Sequence, residues 1–195
     1  MKFKSILAAV AFMAAGSAGA TVLNFDGLTD MMYGDGFPLA GGMTYNGLNL
    51  TYVESGFQVT LNAPGADAGA AHVGDGTYEP STFNWHDGME NGGDTFVTLT
   101  RVGGGKFDLK SFDYFMDWSD VSADGVSVGA IADSGTWSTL LTGITELRIG
   151  SGYYNQIDNI DVEAAGPSGS VPLPGTLALM VGGLAAGGLA RRRRG

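Results

Sequence analysis

The 195-residue chain is long enough for one domain, carries 20 Asp and Glu against 10 Lys and Arg, and has no cysteine. Six of the cations lie at the ends (Lys2, Lys4, Arg191, Arg192, Arg193 and Arg194), so residues 21–165 hold only Arg101, Lys106, Lys110 and Arg148 against all 20 carboxylates, a net of −16. That charge excludes nucleic acid and anionic membrane surfaces as partners and favours cations, and the missing cysteines exclude both a disulfide framework and a thiolate metal site.

In chain order, Lys2 and Lys4 precede an apolar run at 6–15, and Ala18, Gly19 and Ala20 supply the small residues that a signal peptidase needs. Residues 1–20 therefore read as a secretory signal helix cut after Ala20. Residues 21–165 follow as an all-β extracellular domain. They show short β-branched and aromatic runs bounded by Gly, Asn and Asp, and no sustained helical period. Predicted strands fall at 22–26, 48–53, 57–61, 95–101, 107–118, 125–131, 136–141, 146–149 and 156–162. Roughly nine strands at that spacing favour a β-sandwich or jelly roll. Phe96, Thr98 and Thr100 alternate with Val97, Leu99 and Arg101, as suits a sheet with one buried face.

The segment 62–93 is longer than an ordinary connection, and it holds both histidines. Asp67, Asp75, Tyr78, Glu79, Phe83, Trp85, Asp87 and Glu90 surround them. His72, Tyr78, Trp85, His86 and Asp87 form the candidate ligand loop, suited to a sugar through ring stacking and hydrogen bonds. Phe83 and Trp85 also alternate around Asn84, and one strand facing the core is the competing and favoured reading.

Catalytic patterns are weak. Gly125-Val126-Ser127-Val128-Gly129 matches a nucleophile elbow, but both valines favour strand and both histidines lie upstream of the serine. No phosphate loop or zinc helix is present in the sequence. Calcium is the cofactor that the donor types favour, because oxygen ligands are abundant. Asp120, Ser122, Asp124 and Gly125 match the first half of a calcium loop, yet Ile131 stands at the twelfth position, where a Glu is needed. Asp124-Gly125 as a hairpin turn is the stronger reading.

After a short linker at 166–170, the C-terminus joins three pieces: Val171-Pro172-Leu173-Pro174, an apolar stretch reaching Ala190, and the four arginines. Residues 173–190 as a helix span about 27 Å, just enough for a hydrocarbon core. The arginines hold its end cytoplasmic and the acidic domain outside. Leu177 after Leu173-Pro174-Gly175-Thr176 argues against a sortase signal, and the terminal arginines argue against a GPI signal. A permanent anchor is the alternative, since Gly183 and Gly187 suit helix–helix contact.

At these residues the chain resembles the PEP-CTERM class of exosortase-sorted proteins, in the variant whose signature begins Val-Pro-Leu-Pro. Leu173 stands where the commoner form has Glu, and Gly175 where this variant has Ala. The resemblance implies a Gram-negative host, transient inner-membrane anchoring, recognition of 171–195 by an exosortase, and release to the cell surface or exopolysaccharide matrix. The domain is also similar to the one many PEP-CTERM proteins carry and to carbohydrate-binding jelly rolls. That likeness rests on Leu23-Asn24-Phe25-Asp26, Tyr45-Asn46-Gly47-Leu48, Gly105-Lys106-Phe107-Asp108-Leu109 and Ile157-Asp158-Asn159-Ile160-Asp161. It implies a structural calcium between first and last strands, with Asp26 and Asp158 as its ligands.

The expected function is a non-catalytic, matrix-associated surface protein that contacts polysaccharide. The rivals are a surface glycan-modifying enzyme using carboxylates such as Asp87 and Glu90, and an anchored or self-associating structural protein.

Overall fold

The computed structural model describes residues 19–34, 36–63, 71–72, 81–86, 95–150 and 154–165. The signal peptide through Ala18, the linker and the sorting tail lie outside the described residues. All described strands belong to one compact unit, Gly19–Gly169; the other unit, Met1–Ala18 with Ser170–Gly195, lies outside them. No helix long and apolar enough to cross a membrane occurs among the described residues.

The fold is all-β. In chain order the strands are β1 Ala20–Leu23, β2 Met32–Tyr33, β3 Met43–Tyr45, β4 Asn49–Glu54, β5 Phe57–Asn62, β6 Ala71–His72 and β7 Phe83–His86. They continue as β8 Phe96–Arg101, β9 Phe107–Ala123, β10 Val126–Trp137, β11 Leu141–Ile144, β12 Glu146–Ile149 and β13 Tyr154–Ala164. All pairings between them are antiparallel, and they make one curled sheet in the order β2-β6-β7-β13-β9-β12-β8-β5-β4-β3, with β1 beside β13 and β10 and β11 beside β9.

The 17-residue β9 organises this arrangement. Its first part lies against β13, from Phe107↔Ala164 to Met116↔Asn155, and its last residues lie against β12, from Val121↔Ile149 to Ala123↔Leu147. Between the two, Met116 faces Asp133 and Ser119 faces Ile131, so Asp117 and Trp118 together oppose the single residue Ala132. Such a bulge bends a strand, and a bent strand can pass from one packed layer to another. Sandwich-like or barrel-like closure of the sheet follows from this.

One apolar cluster fills the interior. Phe107, Leu109, Phe112, Met116, Val121 and Ala123 of β9 meet Leu50 and Tyr52, Phe57, Val59 and Leu61, Val97 and Leu99, Leu147 and Ile149, and Ile157, Ile160 and Val162. The inward positions on β9 change parity after Leu109 and again after Met116, where the register shifts. Burying each large side chain contributes roughly 1.5–3 kcal/mol, so phase errors in this strand are costly.

Three expectations need correction. Among the described residues thirteen strands replace roughly nine. The first ends at Leu23, not 26, because Phe25 takes φ 54° and its carbonyl accepts the Leu28 amide in a turn. A strand at 136–141 is not formed: β10 continues through Trp137, and β11 begins at Leu141. Within the long segment 62–93 lie β6 and β7, the latter being the strand expected around Asn84.

Between β9 and β10 the loop is two residues, Asp124 at φ 49° and Gly125 at φ 78°, closing the Ala123↔Val126 pair. Two left-handed residues in succession match the twist of a hairpin. Gly125→Ala is expected to cost about 1 kcal/mol, read as a lowered melting temperature, because a Cβ disfavours that φ. An unchanged melt would show that the turn does not need glycine.

Candidate functional site

Where β10, β9 and β13 run side by side, pairing puts two rows of side chains on one face. Thr136, Asp113 and Asp158 are directly opposed in the first row, and Ser134, Phe115 and Gln156 in the second. Directly opposed residues share a face, and so do residues two apart, so all six look the same way. Phe112 and Met116, which flank the β9 pair, and Ile157, between the β13 pair, are buried in the core. With Tyr114, Gly135 and Asn159 the six residues line a half-open groove of about 510 Å³, within the range of small-ligand sites.

The carboxylates are held in place. Thr136 Oγ1 donates to Asp113 Oδ1 at 2.7 Å, and Asn159 Nδ2 donates to Asp113 Oδ2 at 3.0 Å and Asp158 Oδ2 at 3.1 Å. The Asn159 amide donates to Asp158 Oδ1 at 2.7 Å. These contacts depend on a bulge. Between the pairs Asp158↔Asp113 and Asp161↔Ser111, β13 carries one residue more than β9, and Asn159 sits there at φ 48°. Asn tolerates that left-handed conformation better than most residues.

Burial, and then the charges of Asp113, Asp26 and Glu54, push the Asp158 carboxyl up from 3.8 to about 6. Glu54 is fixed by accepting the backbone amides of Asn24 and Phe25, each at 3.2 Å.

Two aromatics stand on the same side of β9. Phe115 is 45 % exposed, and Trp118, turned outward by the bulge, is 65 % exposed. Their separation along the strand is about 10 Å. Gln156 is only 6 % exposed, and its Oε1 has no hydrogen-bond partner.

The expected site residues are distributed differently. Trp85 is 1 % exposed, packed with Phe83 at a ring separation of 6.4 Å, so it is a core residue and is not offered to a ligand. His72 lies on β6 opposite Asn84, and His86 on β7 opposite Tyr154. Tyr78, Asp87 and Glu90 lie outside the described residues. Ser127 sits in β10 and donates to Asp120 Oδ1 at 2.8 Å, which is a strand contact and no nucleophile elbow.

Asp124 Oδ1 accepts from the Thr145 hydroxyl at 2.7 Å and from the Thr145 and Glu146 amides at 2.9 and 3.0 Å, which holds its carboxyl below the ordinary value. It therefore braces the turn before β12. Asp26 is near enough for its charge to raise Asp158, while its Oδ2 accepts from Asn24 Nδ2 at 2.7 Å. Among the described residues no three His, Cys, Asp or Glu side chains converge to hold a metal ion.

Sequence reading found Asp158 but missed Asp113, Phe115, Gln156 and Asn159. The available signal was one polar–apolar–polar triplet at 156–158, whose pairing with 113–115 no local pattern reveals.

The chain matches no known family model, no curated protein and no solved structure. The fold and groove define an all-β, curled antiparallel domain with an acidic groove beside exposed aromatics.

Proposed function

We propose that this chain is an exported, non-catalytic surface protein that holds polysaccharide in the groove on β9, β10 and β13. In this reading signal peptidase removes its N-terminus, and an exosortase-type enzyme sorts it to the cell surface or matrix through Val171, Pro172, Leu173 and Pro174. The jelly-roll form of the fold belongs to the same proposal, supported by one curled sheet closing over one core.

The observation that carries the glycan reading is the pairing of exposed aromatic faces with fixed acceptors. Phe115 and Trp118 offer stacking surface beside Asp113, Asp158 and Gln156, which suit the apolar faces and hydroxyl rims of a sugar chain.

Titration calorimetry of the full chain with exopolysaccharide from its own host is the test. Saturable heat is expected, weakened about tenfold by Phe115→Ala or Trp118→Ala with an unchanged melting temperature. An absence of heat would sink the glycan reading. A second reading, a glycan-cleaving enzyme, is favoured by one feature: Asp113 stands directly opposite Asp158, whose carboxyl is pushed to about 6. Release of reducing ends that disappears in Asp113→Asn would select it.

A further inference from the structure

The polar atoms of the groove are unbalanced in one direction. Ionised Asp113 and Asp158 can only accept hydrogen bonds, and the unpartnered Gln156 Oε1 is a third acceptor, buried with its side chain and lining the same groove. A buried acceptor without a donor is costly to the fold, so this one is suited to a ligand's N–H or O–H.

Among the described residues no lysine or arginine is seen to answer these charges. Lys110 pairs with Glu163 at 3.1 Å and Asp161 at 3.9 Å, Arg148 lies 3.6 Å over the Phe96 ring, Arg101 Nη1 donates to the Lys106 carbonyl, and Lys106 acts on Asp124. The groups acting on Asp158 from neighbouring elements are Asp113 on β9, Asp26 after β1 and Glu54 at the end of β4, all acidic, with only the neutral amides of Asn159 between.

Resting on the glycan-binding reading, we propose that the groove selects a sugar bearing a protonated primary amine, whose ammonium is seated by Asp113, Asp158 and Gln156 Oε1. Three donors of an ammonium meet three acceptors, the sugar ring stacks on Phe115, and that aromatic face itself attracts a cation. Acidic glycans, those carrying uronate or sulfate, are repelled. Since the ammonium needs the ionised carboxylate, protonation of Asp158 as pH falls below about 6 weakens binding.

The test compares a glucosamine tetrasaccharide with its fully N-acetylated counterpart, equal in rings but neutral, by calorimetry on the full chain at pH 7 and pH 5. Expected is binding of the free-amine form at least about tenfold tighter than the acetylated one, declining at pH 5. Asp113→Asn or Asp158→Asn should erase the preference, and Gln156→Leu should weaken amine binding while leaving the melting temperature unchanged or raised.

Spermine, a stronger cation with no ring, separates site recognition from bulk attraction to the acidic domain; equal binding of spermine overturns the proposal. Displacement of the amine by millimolar calcium, with a raised melting temperature, overturns it in favour of a metal site. If the host polysaccharide binds but the two tetrasaccharides bind equally, amine selectivity fails and the glycan reading stands. Absence of heat with every sugar sinks both.

Discussion

Replacing Trp85 with Ala is expected to remove about 3–5 kcal/mol of folding stability, the usual cost of truncating a large buried aromatic. The melting temperature should fall by roughly 10–15 °C for a domain of this size. Trp85 closes one end of an aromatic series: its ring is 6.4 Å from Phe83, which is 5.7 Å from Phe25, which is 5.9 Å from Tyr52. Truncation therefore opens a cavity beside Phe83. Trp85→Phe should behave differently. The indole Nε1–H is buried without a partner, so a phenyl ring loses some contact but also removes an unsatisfied donor. Its net effect is expected within about 1 kcal/mol of wild type. Thermal melts of both variants decide the matter: an Ala variant that melts like wild type but loses polysaccharide binding would return Trp85 to the ligand surface.

The two readings of Trp85 show where sequence reasoning stops. Alternation around Asn84 gave both aromatics one common face, but which face looked inward depended on the pairing of β7 with β13. Where alternation was uninterrupted, bounds were legible: β12 falls at 146–149 as expected, and β8 and β5 differ by a single residue. Strands of two or three residues, such as β2, β3 and β6, hold too few positions to show any period. In β9 and β10 the difficulty is the bulges. Each shifts the apolar positions from odd to even or back, so one strand reads as two and Trp118 looks like an end, although the strand runs on to Ala123.

The groove was less legible than the fold. Asp113 and Asp158 are 45 positions apart and meet only because β13 returns along β9 in this register. Asn159 gave one local hint, an Asn tolerant of left-handed backbone inside an otherwise continuous apolar–acidic alternation. Asp124, by contrast, followed from sequence alone, since an Asp-Gly pair between strands specifies its own turn.

Asp158→Asn is expected to make the domain more stable at neutral pH while removing amine-selective binding. The folded-state value near 6 lies above the ordinary 3.8, so the folded chain holds this proton more tightly than the unfolded chain does. The ionised carboxylate therefore costs stability above about pH 6, and the cost fades as pH falls toward 4. An amide at position 158 carries no charge against Asp113, Asp26 and Glu54, and its oxygen can still accept the Asn159 amide. Because the side chain is only partly buried, solvent screening reduces the gain to the order of 1 kcal/mol. Chemical denaturation across pH 4–8 reads the sign directly. The difference between wild type and Asp158→Asn should open between pH 4 and pH 6 and stay constant above. A variant that is less stable at pH 7 would mean that the carboxylate is favourably paired, and the charge deficit that calls for a cationic ligand would not exist. A variant that is more stable yet blind to the amine would identify Asp158 as a group kept at a cost to the fold for what it binds.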